Sequence, residues 1–110
     1  MNPPPIPQIQ PEELKQSLDK HETFVLLDVR EHDEVEICRI PGAMHIPMND
    51  VPTRIGELDA KAPTVVYCHR GVRSNMVASY LKQQGFVDVK NLRGGIHSYA
   101  VEVDPSLTVY

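Results

Sequence analysis

The sequence has no tryptophan, two phenylalanines and only two cysteines among its 110 residues. With so few large aromatics the core must be aliphatic, and two cysteines are too few to build a disulfide scaffold. No apolar run approaches the roughly 20 residues that a membrane-crossing helix needs. No run of lysine and arginine is long enough to track a nucleic-acid backbone, and the formal charge of −4 points the same way. There are no internal repeats, and 110 residues suffice for one core but not two. Met1–Pro11 is proline-rich and lacks the apolar centre of a signal peptide, so the expectation is a cytoplasmic chain with reduced thiols.

What the chain does contain is an alternation of apolar runs and amphipathic stretches. Met1–Pro7 (MNPPPIP) suits neither a helix nor a central strand and is expected to be a flexible tail, with the folded domain running from 8 to 110. Gln8–Gln10 reads as a short edge strand. Pro11–Lys20 reads as a helix, with proline and glutamates early and Leu14 and Leu18 four apart. Phe24–Val29 is a nearly continuous apolar run, as in a strand covered on both faces, with Asp28 interrupting its end. Arg30–Ile37 predicts a short charged helix and Met44–Ile46 a short strand, and Met48–Asp59 is expected to contain a helix with Val51, Ile55 and Leu58 on one face. Val87–Leu92 predicts a last strand, Arg93–Gly95 a tight connection and Ile96–Val103 a final helix. This pattern implies an α/β fold with a mainly parallel sheet and helices on both faces.

The most informative stretch is Thr64–Tyr80 (TVVYCHRGVRSNMVASY). A buried strand through Val65, Val66 and Tyr67 delivers Cys68 to a loop formed by His69, Arg70, Gly71, Val72 and Arg73. A helix follows with Ser74 as its expected N-cap, with Met76, Val77, Tyr80 and Leu81 on one face and Gly85 as its stop. In parallel sheets ligands bind beyond the carboxyl ends of the strands, which is where Cys68 falls. A helix N-terminus and adjacent arginines favour a thiolate, and Gly71 allows successive amides to turn inward as an anion cradle. On an acidic protein, the local positive charge of Arg70 and Arg73 suits a small anionic substrate.

Two covalent mechanisms fit such a thiolate: sulfur transfer through a persulfide, or phosphate-ester hydrolysis through a thiophosphate. The phosphatase loop needs five residues between cysteine and arginine, whereas four separate Cys68 from Arg73. The tighter ring suits a terminal sulfur better than three phosphate oxygens. No general acid is evident either, since Asp28 lies in an apolar strand and Asp50 and Asp59 have no assigned place. Phosphatase chemistry is the weaker reading. A reading of another class is a non-catalytic interaction module that uses the loop for docking.

Four blocks, LLDVRE (Leu26–Glu31), RIPGAMHIP (Arg39–Pro47), VVYCHRGVRS (Val65–Ser74) and NLRGGIHSY (Asn91–Tyr99), together resemble the rhodanese family of sulfurtransferases. The chain is similar in particular to the rhodanese domains at the C-terminus of molybdopterin-synthase sulfurylase proteins. Cys38 and Arg39 stand where that family usually has Gly-His, and Tyr99 where it usually has Trp. The resemblance implies a three-layer α/β/α fold with a five-stranded, mainly parallel sheet. It also implies Cys68 as the persulfide carrier, cradled by the loop amides of His69, Arg70, Gly71, Val72, Arg73 and Ser74.

The resulting expectation is a thiosulfate sulfurtransferase type of enzyme. Thiosulfate or a low-molecular-weight persulfide is the anionic donor, the acceptor is thiophilic, and a small sulfur-carrier protein is one candidate for it. No cofactor is called for, because sulfur itself is the cargo. His45, His69 and His97 fall near the site-facing turns, but no pair has a metal-ligand spacing, so no metal is expected. Asp28 and Arg30 are expected to act as scaffold. Arg73 either pairs with an acidic side chain or faces substrate, and Arg93 either adds charge at the mouth or serves the surface. Cys38 is expected to be a half-buried thiol.

Overall fold

The computed structural model describes residues 4–110. Among these residues five strands form one all-parallel sheet: β1 (Gln8–Ile9), β2 (Val25–Asp28), β3 (Met44–His45), β4 (Thr64–Tyr67) and β5 (Val89–Leu92), in the order β1-β5-β4-β2-β3. The central strand β4 is buried along its whole length, as its unbroken TVVY run requires. Because side chains alternate across a sheet, Val65 and Val66 serve opposite cores. Val66 packs with Leu27, Val77, Leu81 and Val89 on the face covered by α3 (Val51–Arg54) and α4 (Val72–Gln83). Val65 packs with Leu14, Leu26, Leu92 and Ile96 on the face covered by α1 (Pro11–Asp19) and α5 (Gly95–Glu102). The result is the expected three-layer α/β/α arrangement.

Local sequence explains where several elements begin. Pro11 occupies the first turn of α1, and the Gln10 N–H donates to Glu13 Oε1 at 2.9 Å, closing a capping box. The helix α2 (His32–Ile37) opens the same way, with the Glu31 N–H donating to Glu34 Oε1 at 3.1 Å. Glu34 thereby enters the site already oriented by its own helix.

Some boundaries differ from the sequence expectation, each for a physical reason. Ser74 is not the N-cap of α4: Gly71, at φ +101°, makes the turn and the helix starts at Val72, so Ser74 faces inward from the first turn. Met76 lies off the buried face and is 59 % exposed. Met48–Asp59 does contain a helix, the short α3, flanked by a 3-10 turn on each side (Met48–Asp50 and Ile55–Glu57). Val87 precedes β5 and is exposed. Of the expected tail, Ile6 packs into the core and the Pro7 carbonyl accepts the Asn91 N–H at 3.0 Å, so these two residues are attached rather than free. The remainder of that stretch, Met1–Pro3, lies outside the described residues. Among the described residues no helix is long and apolar enough to cross a membrane.

Candidate active site

Cys68 follows directly on β4 at the carboxyl end of the sheet and is buried. Its Sγ accepts hydrogen bonds from the backbone N–H of Gly71 at 3.1 Å and of Ser74 at 3.3 Å, and Ser74 Oγ lies 3.2 Å away. The two amides exist in this orientation because Gly71 takes a left-handed conformation and starts α4. In the first turn of a helix the leading N–H groups have no intrahelical acceptor, so those of Val72 and Arg73 add to the positive end of α4.

The other side of the loop is held by α5. The Ile96 N–H donates to the Cys68 carbonyl at 2.9 Å and the His97 N–H to the His69 carbonyl at 3.0 Å. Gly95 is required at this crossing: a Cβ there would lie 2.4 Å from the His69 carbonyl oxygen and 2.6 Å from that of Cys68. The loop is thus suspended between the N-termini of two helices.

The two loop arginines have different fates. Arg73 makes a two-pronged pair with Glu34, Nη1–Oε1 2.6 Å and Nη2–Oε2 2.8 Å, which ties the start of α4 to α2. The Arg73 hydrogen bond draws the Glu34 carboxyl down to about 2, against an ordinary 4.5. Arg70 is exposed and lines an open groove of about 490 Å³ with Gly71, Val72, Asn75, Met76 and Asn91.

The family profile described as "Rhodanese-like domain" matches residues 10–102. The chain belongs to the rhodanese-like domain family. A "Putative sulfur carrier protein YrkF" of Bacillus subtilis (strain 168) is 42 % identical over 94 residues, covering 86 % of this chain and 51 % of that protein. A "Sulfurtransferase" of Allochromatium vinosum is 40 % identical over 93 residues, covering 84 % of this chain and 87 % of that one. The "Adenylyltransferase and sulfurtransferase MOCS3" of Arabidopsis thaliana is 32 % identical over 119 residues, covering 94 % of this chain but 26 % of that protein. The resemblance to the rhodanese part of such longer proteins is therefore shown, and this chain spans about half of YrkF and a quarter of MOCS3. Among solved structures, a rhodanese-like domain protein from Staphylococcus aureus superposes with a TM-score of 0.82 at 30 % identity, covering 96 % of this chain and 99 % of that one.

Around the loop, this rhodanese-like domain places a layer of side chains that the sequence reading only partly foresaw. Arg30 is fully buried and pairs with Asp28, Nε–Oδ1 3.0 Å and Nη2–Oδ2 2.7 Å. It also donates to the main-chain oxygens of Glu34 at 3.2 Å and Cys38 at 2.7 Å. Asp28 is thus occupied, while Asp50 and Asp59 are exposed, and none of the three stands free beside Cys68 as an acid. Tyr110 closes the arrangement. Its hydroxyl accepts from Arg30 Nη1 at 2.9 Å and donates to Glu34 Oε2 at 2.8 Å, and its ring stacks on His69 at 3.9 Å and 9°. The His69 Nε2–H donates to the Tyr110 main-chain oxygen at 2.7 Å. Burial lowers the His69 ring below the ordinary histidine range and pushes the Tyr110 phenol up to about 12.

Arg93 pairs with Glu102 at 2.9 Å and with Gln10, so its charge goes to the surface. Cys38 is half-buried, and burial pushes its thiol up. Glu34, Gly95, Asn91 and Tyr110 are site components that the sequence reading did not assign. Asn91 carried a usable signal, being a polar residue at an inward position of a buried strand; such a group must find partners.

Proposed function

We propose that this protein is a sulfurtransferase in which Cys68 carries sulfane sulfur as a persulfide. The Cys68 thiolate attacks the outer sulfur of thiosulfate or of a low-molecular-weight persulfide. The donor S–S bond breaks, sulfite or the donor thiolate leaves with the electron pair, and a new S–S bond forms at Cys68. A thiophilic acceptor then takes the outer sulfur, and the pair returns to Sγ. The names of the relatives support a small sulfur-carrier protein as one acceptor; thiosulfate serves as a convenient donor in vitro. A compartment that keeps thiols reduced, such as the cytoplasm, suits this cycle.

The observation that carries this reading is the convergence of the Gly71 and Ser74 N–H groups on a buried cysteine sulfur at the head of α4. Such donors stabilise charge on sulfur each time it develops. The outer sulfur of a persulfide would sit within the ring of amides running from His69 to Ser74. Phosphate transfer is the poorer match, because Arg73 is engaged by Glu34 rather than free to clamp phosphate oxygens.

The test incubates the protein with thiosulfate and cyanide beside Cys68→Ser. Thiocyanate should form, and intact mass should rise by one sulfur on Cys68 after donor alone. Absence of both in the unmodified protein would overturn the proposal, and binding of a partner that survives Cys68→Ser without any transfer would favour a docking module.

A further inference from the structure

Behind the sulfur lies a polar network that the catalytic reading does not use. Ser74 is fully buried, and its Oγ lies 3.2 Å from Cys68 Sγ and 2.5 Å from Asn91 Oδ1. A hydroxyl has one proton, so it cannot donate to both acceptors at once. Which of them receives it depends on how the Asn91 amide is oriented.

That orientation is fixed from outside the loop. Asn91 Nδ2 donates to the Gly71 carbonyl at 3.1 Å and to Gln8 Oε1 at 3.0 Å. Gln8, the cross-strand partner of Asn91, in turn donates from Nε2 to the Ile6 carbonyl at 3.1 Å and to Asn75 Oδ1 at 3.1 Å. Flipping either amide would set its oxygen against a backbone carbonyl, which cannot donate. Asn91 Oδ1 therefore faces Ser74, and it can only accept.

We infer that Asn91 is a positioning residue that competes with the Cys68 sulfur for the single proton of Ser74, and so tunes how readily Cys68 becomes a thiolate. When the sulfur is a thiol or a persulfide, the Ser74 hydroxyl points to Asn91. When an electron pair returns to Sγ, the hydroxyl turns to the sulfur, and two oxygens are left facing each other across a short gap. The Gly71 and Ser74 amides stabilise the anion without this competition. The inference rests on Cys68 being the nucleophile, but its test does not depend on sulfur transfer.

The test is the pH–rate profile of Cys68 alkylation by iodoacetamide, a neutral reagent, in a Cys38→Ser background and followed by intact mass. Asn91→Leu removes the acceptor while keeping the branch at Cγ, and Asn91→Val does so with a smaller side chain and a better strand former if the first variant folds poorly. Either should move the profile to lower pH by roughly half to one unit, the scale of one net hydrogen bond. The same substitution made on Ser74→Ala should leave the profile of that variant in place. An unmoved profile, a shift to higher pH, or an equal shift in the Ser74→Ala background would overturn the inference.

A purely structural Asn91 would lower the melting temperature in every background without moving the profile. The charged groups around the loop are the same in all variants: Arg73 with Glu34 from α4 and α2, His69 and Arg70 in the loop, and His97 from α5. Failure of thiocyanate formation with this profile shift intact would reject the proposed function and keep the role of Asn91.

Discussion

Arg73 and Glu34, 39 residues apart in sequence, form a two-pronged ion pair that joins the first turn of the cysteine-bearing loop's helix to α2. The pair fixes the turn that presents the Ser74 N–H to sulfur. Glu34→Gln keeps the shape and removes the charge. Because both side chains are partly exposed, the expected loss of stability is only about 1 kcal/mol by thermal denaturation. Thiocyanate formation should fall several-fold, since the loop loses a tether.

The same pair sets an acid limit. Arg73 draws Glu34 from 4.5 to about 2, so the folded state binds this proton less readily than the unfolded chain. The contribution is fully present above pH 4.5 and is lost as pH falls from there towards 2. The difference in melting temperature between the unmodified protein and Glu34→Gln should therefore shrink over that window. Melts in a buffer series would show it.

Tyr110→Phe separates two roles of one side chain. The ring stack on His69 is kept, whereas Arg30 and Glu34 each lose a hydrogen-bond partner. The expected destabilisation is about 1–2 kcal/mol. Tyr110→Ala should cost more and raise the mobility of His69, measurable as line broadening of its imidazole resonances.

Gly95→Ala changes no loop residue. Its methyl would overlap the carbonyls of both Cys68 and His69, so the loop must move or α5 must slide. At φ +64° the backbone adds about 1 kcal/mol of its own. Sulfur transfer should fall at least tenfold in the thiocyanate assay, while the far-ultraviolet circular dichroism of the fold persists.

Asp28→Asn leaves the guanidinium of Arg30 buried and uncompensated. Removing one partner of such a pair costs about 3–5 kcal/mol, the largest effect foreseen here. Urea denaturation should register it, with expression at reduced temperature to recover the variant.

The elements legible in the sequence were those whose pattern is local. TVVY announces the central strand, Pro11 with two glutamates announces α1, and the Cys68–Arg73 spacing points to the family that the profile match shows. The apolar spacing of Val51, Ile55 and Leu58 marks a helix within Met48–Asp59 but not its short extent, which Pro52 and Gly56 limit. Those three side chains do pack inward, from a chain of short turns. The start of α4 was misplaced because serine is a common cap, whereas only the left-handed Gly71 reveals the true turn. Tyr110 and Glu34 meet across 76 positions, and no local pattern encodes such a meeting.

The strand order has a consequence for the timing of assembly. Among the described residues β1 pairs only with β5, so the beginning of the domain has no neighbour in the sheet until residues 89–92 have been made. Cys68 leaves the ribosome before Asn91, Gly95 and Tyr110, which brace its loop from behind, from the side and from above. For that interval a growing chain carries Cys68 without the enclosure that the finished fold gives its sulfur. The thiol is enclosed only once residues 91–110 have joined the fold.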